Sequence, residues 1–511
     1  MGTADAEDAY ARHDPTKTVL HGLVVKHLET FLRFAEERSG KALPRYVAEE
    51  CRAYLRCGVL AHGFGRARCA GCGHDMFVAF SCKRRGACPS CGGRRMCETA
   101  ARVVDCVLPE VMLRQWVLSV PFELRAVLAA DPAMLTLTSR VFLEELRRWY
   151  RDASGIARAD DVRVEAGAIT FVHRGGGSLN LHVHLHVIAA DGVWRCATDG
   201  STPTFVATRA PTRVDLAGVL VRVAHRVAKG IERAGDSLGD RDEALEGCRR
   251  AACARGLYGE VRDAGTIDAR AEVDEARFGR RPPKAQVAAL EGFNLHASVV
   301  IGASDHEGRE RLLRYVARPT VANGRVSELA DGRVAWQLKR PGGRGETHRI
   351  MDPMEFMARF AALVPQPRFP LVRYHGVFAP HSPWRPVVVP RPTTTVRRCE
   401  RDPSRMSDSA TSTSIGDAIA ARHDRDDVCL TESPDGDTKP AAANASGRID
   451  WATLMHRVWG WDVLACPRCE GRMRFIAVIK EPDVIERILT HVGLSTKRIA
   501  AAPARRWDDT S

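Results

Sequence analysis

The sequence contains no run of eighteen consecutive apolar residues, so it predicts no membrane-spanning helix. Its first stretch, MGTADAEDAYARHDPTK, is acidic and polar, and it lacks the basic start and apolar centre of a secretory signal. The sixth position is Ala6 rather than Ser or Thr, which makes the Met-Gly start a poor myristoylation signal. We therefore expect a cytoplasmic protein that has no membrane partner.

An excess of acidic residues is also absent. The 76 Lys and Arg residues outnumber the 63 Asp and Glu residues, which gives a formal net charge of +13. A positive field of this size favours a polyanionic partner such as nucleic acid. An arginine-rich composition inherited from a high-GC genome would produce the same charge, so the charge alone leaves both explanations open.

No internal repeat divides the chain, yet 511 residues are too many for one ordinary core. Apolar residues recur at helical spacing near both ends and at a spacing of two from about residue 164. A segment rich in Ser, Thr, Asp and Pro predicts a disordered linker. The predicted parts are a helical and cysteine-rich domain at 1–105, a mixed domain at 106–390 with a helical insertion at about 212–288, a linker at 391–447, and a small C-terminal module at 448–511.

The sixteen cysteines of a cytosolic chain are not expected to form disulfides. Cys69-x-x-Cys72 and Cys88-x-x-Cys91 are separated by fifteen residues, a spacing typical of a structural zinc site with four thiolates. Cys82 lies between the pairs and can replace one of them, and a redox dithiol is the alternative. Basic residues that suit a phosphate backbone surround the cluster: Lys83, Arg84, Arg85, Arg94 and Arg95.

A second cysteine pair, Cys466 and Cys469, lies near the end of the chain. Two thiolates do not complete a tetrahedral zinc site. We expect this pair to form a turn in a small module that contacts DNA or a partner, without a zinc ion of its own.

Three histidines alternate with apolar residues in the stretch SLNLHVHLHVIAADG. On a β-strand His182, His184 and His186 share one face, because residues two apart point the same way. Imidazoles in this register can converge on one divalent cation and leave positions for substrate oxygens. Surface histidines and a structural metal site are the alternatives.

Only seven tyrosines are available as a nucleophile, and Tyr315 lies on a short arginine-rich helix, GRERLLRYVARP. Arg311 and Arg318 share its helical face at i−4 and i+3. A phenol flanked by guanidinium groups loses its proton more readily and meets a phosphate that is already held. An ordinary core tyrosine is the alternative.

Six sequence blocks carry a resemblance to a known family: LRCGVLAHGFGRARCAGCG, AFSCKRRGACPSCGGRRM, LNLHVHLHVIAADGVW, RLLRYVARP, LVRYHGVFAPHSPWRPVVVP and DVLACPRCEGRMR. In these blocks the chain resembles HUH-type rolling-circle transposases of the insertion-sequence-91 family, including the related common-region elements. HUH denotes two histidines around a hydrophobic residue, here His184-Leu185-His186, with His182 as a possible third ligand. The register His182-Val183-His184 also fits the pattern.

The resemblance implies an α+β fold. It predicts a ferredoxin-like antiparallel sheet with the histidine pair on a central strand, a tyrosine helix beside it, and an N-terminal zinc-ribbon domain. It also implies that Tyr315 cuts one strand at the single-stranded ends of a mobile element, with Mg²⁺ or Mn²⁺, leaving a 5′-phosphotyrosine and a 3′-OH. Many members carry a second tyrosine four residues earlier, where this chain has Arg311, so it resembles the single-tyrosine branch.

Two other functions fit the same residues. One is a non-catalytic zinc-ribbon regulator, which would bind DNA without forming a covalent adduct. The other is a metal-dependent phosphoesterase with an activated water, which would still cleave DNA after replacement of Tyr315.

Overall fold

A computed structural model describes residues 14–157, 162–197, 202–234, 243–253, 286–339, 341, 345–390 and 451–507. The described residues form two compact units. The smaller unit contains residues 14–17, 56–82 and 451–499, and the larger unit contains the rest. The predicted linker at 391–447 and the later part of the predicted insertion, 254–285, lie outside the described residues.

The helices begin and end as follows: α1 Val19–Ser39, α2 Arg45–Arg56, α3 Pro89–Cys106, α4 Phe122–Ala130, α5 Pro132–Ala153, α6 Arg213–Ala234, α7 Glu243–Cys253, α8 His306–Val316, α9 Pro353–Leu363, α10 Arg385–Val388, α11 Trp451–Trp459 and α12 Pro482–His491. Within the described ranges, no single helix is both long enough and apolar enough to cross a membrane, and α4 and α5 pass that test only as a pair bent by 118°.

The strands have these bounds: β1 Phe64–Cys69, β2 Asp75–Ala79, β3 Leu113–Ser119, β4 Val162–Glu165, β5 Gly167–Gly175, β6 Leu181–Ala190, β7 Gly192–Ala197, β8 Thr204–Ala207, β9 Val287–Leu290, β10 Phe293–Ile301, β11 Val326–Glu328, β12 Val334–Gln337, β13 His348–Met351, β14 Val372–Gly376 and β15 Met473–Ile479.

The larger unit is built on a six-stranded sheet in the order β14-β5-β6-β3-β10-β9. All neighbouring strands of this sheet are antiparallel. Every residue of β6 is buried, which is expected of an inner strand covered on both faces. A buried ion pair joins β3 to the residue that follows β6: Arg114 donates to both carboxylate oxygens of Asp191 at 2.8 and 2.7 Å. The segment with alternating histidines therefore forms a buried inner strand, β6, of this sheet.

Helices α3 and α8 pack on the sheet face that carries Phe171 and Ile188. The start of α8 is set by Asp305, whose carboxylate accepts a hydrogen bond from the amide of Gly308 at 2.7 Å. Leu312, Leu313 and Val316 are about 1 % exposed, because the apolar stripe of α8 enters this core. The short helix is thus held against the histidine side of the sheet.

The smaller unit contains a three-stranded antiparallel sheet in the order β15-β1-β2. Sequence reasoning predicted a small C-terminal module at 448–511, and β15 of this region pairs directly with β1 over Phe64–Cys69. The β1–β2 hairpin alone has little apolar surface to bury, and a third strand supplies the partner that it lacks. Leu60 and Phe64 then pack against Ile485 and Leu489 of α12.

Candidate active site and cysteine cluster

The histidines of β6 meet a further histidine on the neighbouring strand. His173 on β5 lies directly opposite His184. The ligand nitrogens of His173, His184 and His186 lie within 4.8 Å of one another, and all three residues are buried. Three imidazoles this close form a set that fits a divalent cation. His173 was missed because strand register, unlike residue spacing, is not visible in the sequence.

His182 occupies the end of this row. Its ring stacks on His184 with centroids 4.6 Å apart, but the described group of converging ligands contains His173 instead. Side chains directly opposite each other on paired strands are about 4.5–5.5 Å apart at Cβ. Residues two apart along one strand are about 6–7 Å apart. His182 stays a predicted third ligand, and His173 is the alternative that the sheet register adds.

Hydrogen bonds indicate which imidazole nitrogens carry protons. His184 Nδ1 is 2.9 Å from the carbonyl of His182, and His173 Nε2 is 2.5 Å from the carbonyl of Val316. A carbonyl oxygen only accepts, so both nitrogens donate and the opposite nitrogens carry lone pairs. The side-chain amide of Gln115 lies 2.7 Å from His186 Nδ1. The atom of Gln115 that faces this nitrogen is its amide nitrogen Nε2, which donates to His186 Nδ1. With the amide turned by 180°, its oxygen would accept from Nδ1 and Nε2 of His186 would carry the lone pair.

Tyr315 contacts the histidine group. Its ring centroid lies 6.0 Å from that of His186 at an interplanar angle of 89°, and the residue is 8 % exposed. The guanidinium of Arg318 lies 4.3 Å from the Tyr315 ring centroid. The Arg311 side chain is instead 54 % exposed and lies 3.4 Å from the carboxylate of Glu307. The structure therefore brings Tyr315 and Arg318 together with His186, but not Arg311.

Other described tyrosines have different surroundings. The hydroxyl of Tyr150 accepts a hydrogen bond from Trp116 at 2.9 Å, and burial raises the pKa of this phenol. Tyr374 lies opposite Ile169 on an outer strand, and burial raises its pKa as well. Tyr258 lies outside the described residues. Among the described tyrosines, Tyr315 is the one with a ring contact to the histidine group.

The basic residues near Cys88 differ in their contacts. Arg85 donates to the carbonyls of Phe369 and Gln366 at 2.6 and 2.8 Å, and burial lowers the pKa of its guanidinium. Arg95 donates to the carbonyl of Lys83 at 2.9 Å. Three of the predicted DNA-binding side chains, those of Lys83, Arg94 and Arg95, are exposed, and Arg84 is half-buried. The guanidinium of Arg85 is thus already hydrogen-bonded within the protein.

The cysteines combine differently from the predicted pairing. The sulfurs of Cys69 and Cys72 lie within 4.8 Å of those of Cys466 and Cys469. Within the larger unit, the predicted partners Cys88 and Cys91 begin α3, where the amide of Cys91 donates to Cys88 Sγ at 3.4 Å. Within the smaller unit, the amide of Cys82 donates to Cys57 Sγ at 3.3 Å. Sequence reasoning identified the late pair but did not join it to the early one, because about 400 residues separate them.

Backbone amides stabilise the thiolate form of Cys69, while hydrogen bonds with the neighbouring sulfurs of Cys72 and Cys69 raise the pKa of Cys469. The amide of Cys72, helped by that of Gly71, lowers the pKa of the Cys69 thiol to about 6. Thiolates are the form in which cysteine binds metal. The four-sulfur group in the smaller unit is therefore suited to a structural zinc ion.

Two family models match the chain. One, described as "Putative transposase", matches residues 167–385, which contain β5, β6 and α8. The other, described as "Transposase zinc-binding domain", matches residues 26–120, which contain Cys69 and Cys72. No curated protein and no solved structure matches the chain.

These two matches show a transposase, a class of enzyme that acts on DNA. The two matched ranges together cover more than half of the chain, with the zinc-binding domain first. The chain belongs to the insertion-sequence-91 family of transposases, and its N-terminal domain is a zinc-binding domain.

Proposed function

We propose that this transposase is an HUH-type tyrosine enzyme that nicks one DNA strand at the ends of an insertion sequence and moves it by rolling-circle transposition. The observation that carries the proposal is the packing of Tyr315 against His186, with centroids 6.0 Å apart. A nucleophile beside a group of possible metal ligands is the arrangement that covalent phosphoryl transfer requires.

The fold supports this proposal. The chain runs from β3 through α4 and α5 to β5 and β6, and then through α6 and the segment that follows to β10. The spatial order of these strands is β10-β3-β6-β5, all antiparallel. Strand, helix, strand, strand, helix, strand in this order supports a split ferredoxin-like arrangement. The histidines lie on an inner strand, and the tyrosine helix follows β10.

The chemistry follows from the residues at the site. The phenol of Tyr315 would give up its proton to water, its oxygen would attack the phosphorus, and the bond from phosphorus to the 3′-side oxygen would break. The 5′-phosphate stays on the tyrosine, while the departing oxygen takes up a proton and becomes a 3′-OH. A phosphodiester is exchanged for a phosphodiester, so attack by a second 3′-OH can reverse the step and join strands.

The histidines would hold the divalent cation. His184 and His186 would bind Mg²⁺ or Mn²⁺ together with His173 or His182. When bound, the cation would neutralise charge on the non-bridging phosphate oxygens. Arg318, whose guanidinium covers the Tyr315 ring, would contact the same phosphate.

Incubation of the full chain with labelled single-stranded oligonucleotides from the element ends and Mn²⁺ tests the proposal. The expected product is a DNA adduct that resists denaturation, absent from Tyr315→Phe and retained by the matched control Tyr374→Phe. Undiminished cleavage by Tyr315→Phe would indicate a phosphoesterase that activates water. Tight DNA binding by the wild-type chain without any cleavage would indicate a regulator.

A further inference from the structure

We propose that Cys69, Cys72, Cys466 and Cys469 bind one zinc ion, and that this ion holds residues 451–499 against the β1–β2 hairpin. We call residues 451–499 the C-terminal segment. Cys466 and Cys469 lie outside both ranges matched by family models, 26–120 and 167–385. The inference goes beyond the proposed nicking reaction and does not depend on it.

The distances between the sulfurs fit a shared ion. Cys69 Sγ lies 3.5 Å from Cys469 Sγ, and Cys72 Sγ lies 3.6 Å from Cys466 Sγ. Four sulfurs at about 2.3 Å from a tetrahedral zinc ion are about 3.8 Å from one another. A disulfide would instead require about 2.05 Å. Each close pair joins one sulfur from the early cysteines to one from the late cysteines, so neither pair forms the group by itself.

The two turns that hold these sulfurs have the same construction. In the first, the amide of Gly73 donates to the carbonyl of Cys69 at 3.1 Å, and in the second the amide of Glu470 donates to the carbonyl of Cys466 at 2.9 Å. Both donors have positive φ, 72° at Gly73 and 57° at Glu470. A tight turn at each Cys-x-x-Cys directs two sulfurs to one side, as expected of a zinc ribbon built from two knuckles.

The apolar packing around the sulfurs is too small to replace a metal. The core at this end of the sheet consists of Ala67, Met473 and the buried cysteines Cys69 and Cys466, with a few half-buried neighbours. Cys72 and Cys469 are exposed. Small domains with so little buried surface commonly depend on metal binding for their folding free energy. The ion would therefore hold β15 against β1 at the end where Cys69 faces Met473.

The zinc content of cysteine variants tests the shared site. Cys69→Ser and Cys466→Ser should each lose one zinc equivalent per chain, and the double variant should lose the same single equivalent. Cys106→Ser, a half-buried cysteine outside the group, should lose none. Wild-type zinc content in Cys466→Ser, or the loss of two equivalents in the double variant, would overturn the proposal.

Alkylation of the intact wild-type protein avoids any folding defect of the serine variants. Cys72 and Cys469 are exposed, yet both should resist a thiol reagent while zinc is bound and react together once a chelator is added. Mass spectrometry of the peptides reports each cysteine separately. If Cys469 reacts at the same rate with and without the chelator, the late pair does not bind the ion.

Two glycine substitutions give a matched pair that keeps all four cysteines. A Cβ at Gly471 would lie 3.2 Å from Cys69 Sγ and 3.3 Å from Cys469 Sγ, whereas a Cβ at Gly71 would lie at ordinary distances of 3.6 and 3.9 Å. Gly471→Ala should release zinc to a competing chelator at least about tenfold more readily than Gly71→Ala, since crowding changes sulfur positions. Equal release by both variants would contradict the shared site.

Discussion

The histidine group of the larger unit and the cysteine cluster of the smaller unit each bring possible metal ligands together, but they do so in different ways. The histidines come from two adjacent strands, with His173 and His186 thirteen positions apart in sequence, and they are buried beside Tyr315. The cysteines come from two turns about 400 residues apart, and half of them are exposed. Burial beside a nucleophile suits chemistry, whereas exposed turns at a sheet end suit a structural role.

The largest expected effect is a loss of nicking without a loss of DNA binding when a histidine of β6 is replaced. His184→Ala or His186→Ala should reduce nicking by at least about 10²-fold, since a ligand of the charge-stabilising cation is lost. DNA binding should change by less than about threefold, because it arises from dispersed positive charge. Gel assays of nicking and of binding on one labelled oligonucleotide give both values. A parallel loss of binding would instead assign these histidines to DNA contact or to folding.

A second pair of variants decides the third ligand. His173→Ala should raise the Mn²⁺ concentration needed for half-maximal nicking by on the order of 10–100-fold, the range found when a group that supports a metal site is lost. His182→Ala should change it by less than about threefold, because His182 lies outside the converging group. The reverse order of the two effects would restore the ligand set predicted from sequence, and equal effects would indicate four contributing histidines.

The sequence predicts the local features of the two sites but not the strand pairings that complete them. The alternating histidines on β6 and the short arginine-rich helix α8 were accessible, because both follow from local periodicity. His173 was not, since only the pairing of β5 with β6 places it opposite His184. The partnership of Cys69 with Cys469 was equally hidden, because it arises from the pairing of β1 with β15 across most of the chain.

The contacts of Arg85 were likewise not visible in the sequence. Its place among other basic residues predicted a phosphate contact, but its guanidinium donates to the carbonyls of Gln366 and Phe369. Composition indicates charge near a site, and only tertiary structure shows which charges are already engaged.

The smallest expected effect concerns these basic residues. Arg94→Ala should lower the salt dependence of DNA binding by roughly 0.7 per lost contact on single strands or about 0.9 on duplex. Arg85→Ala should leave that slope unchanged and lower the thermal stability of the protein, because two part-buried carbonyls lose their donor. Binding titrations at several salt concentrations, with thermal melts of the same variants, measure both. If only Arg85→Ala altered the slope, Arg85 would be the residue that contacts DNA and Arg94 would not.

The central claim is that the histidine group acts on DNA through Tyr315. Mass spectrometry of the DNA-linked peptide after digestion of the covalent adduct tests it most directly. We predict a nucleotide attached to Tyr315, in the peptide that contains the end of α8. An adduct on Tyr374 or Tyr258 instead would contradict the account and move the active site away from the histidines of β6.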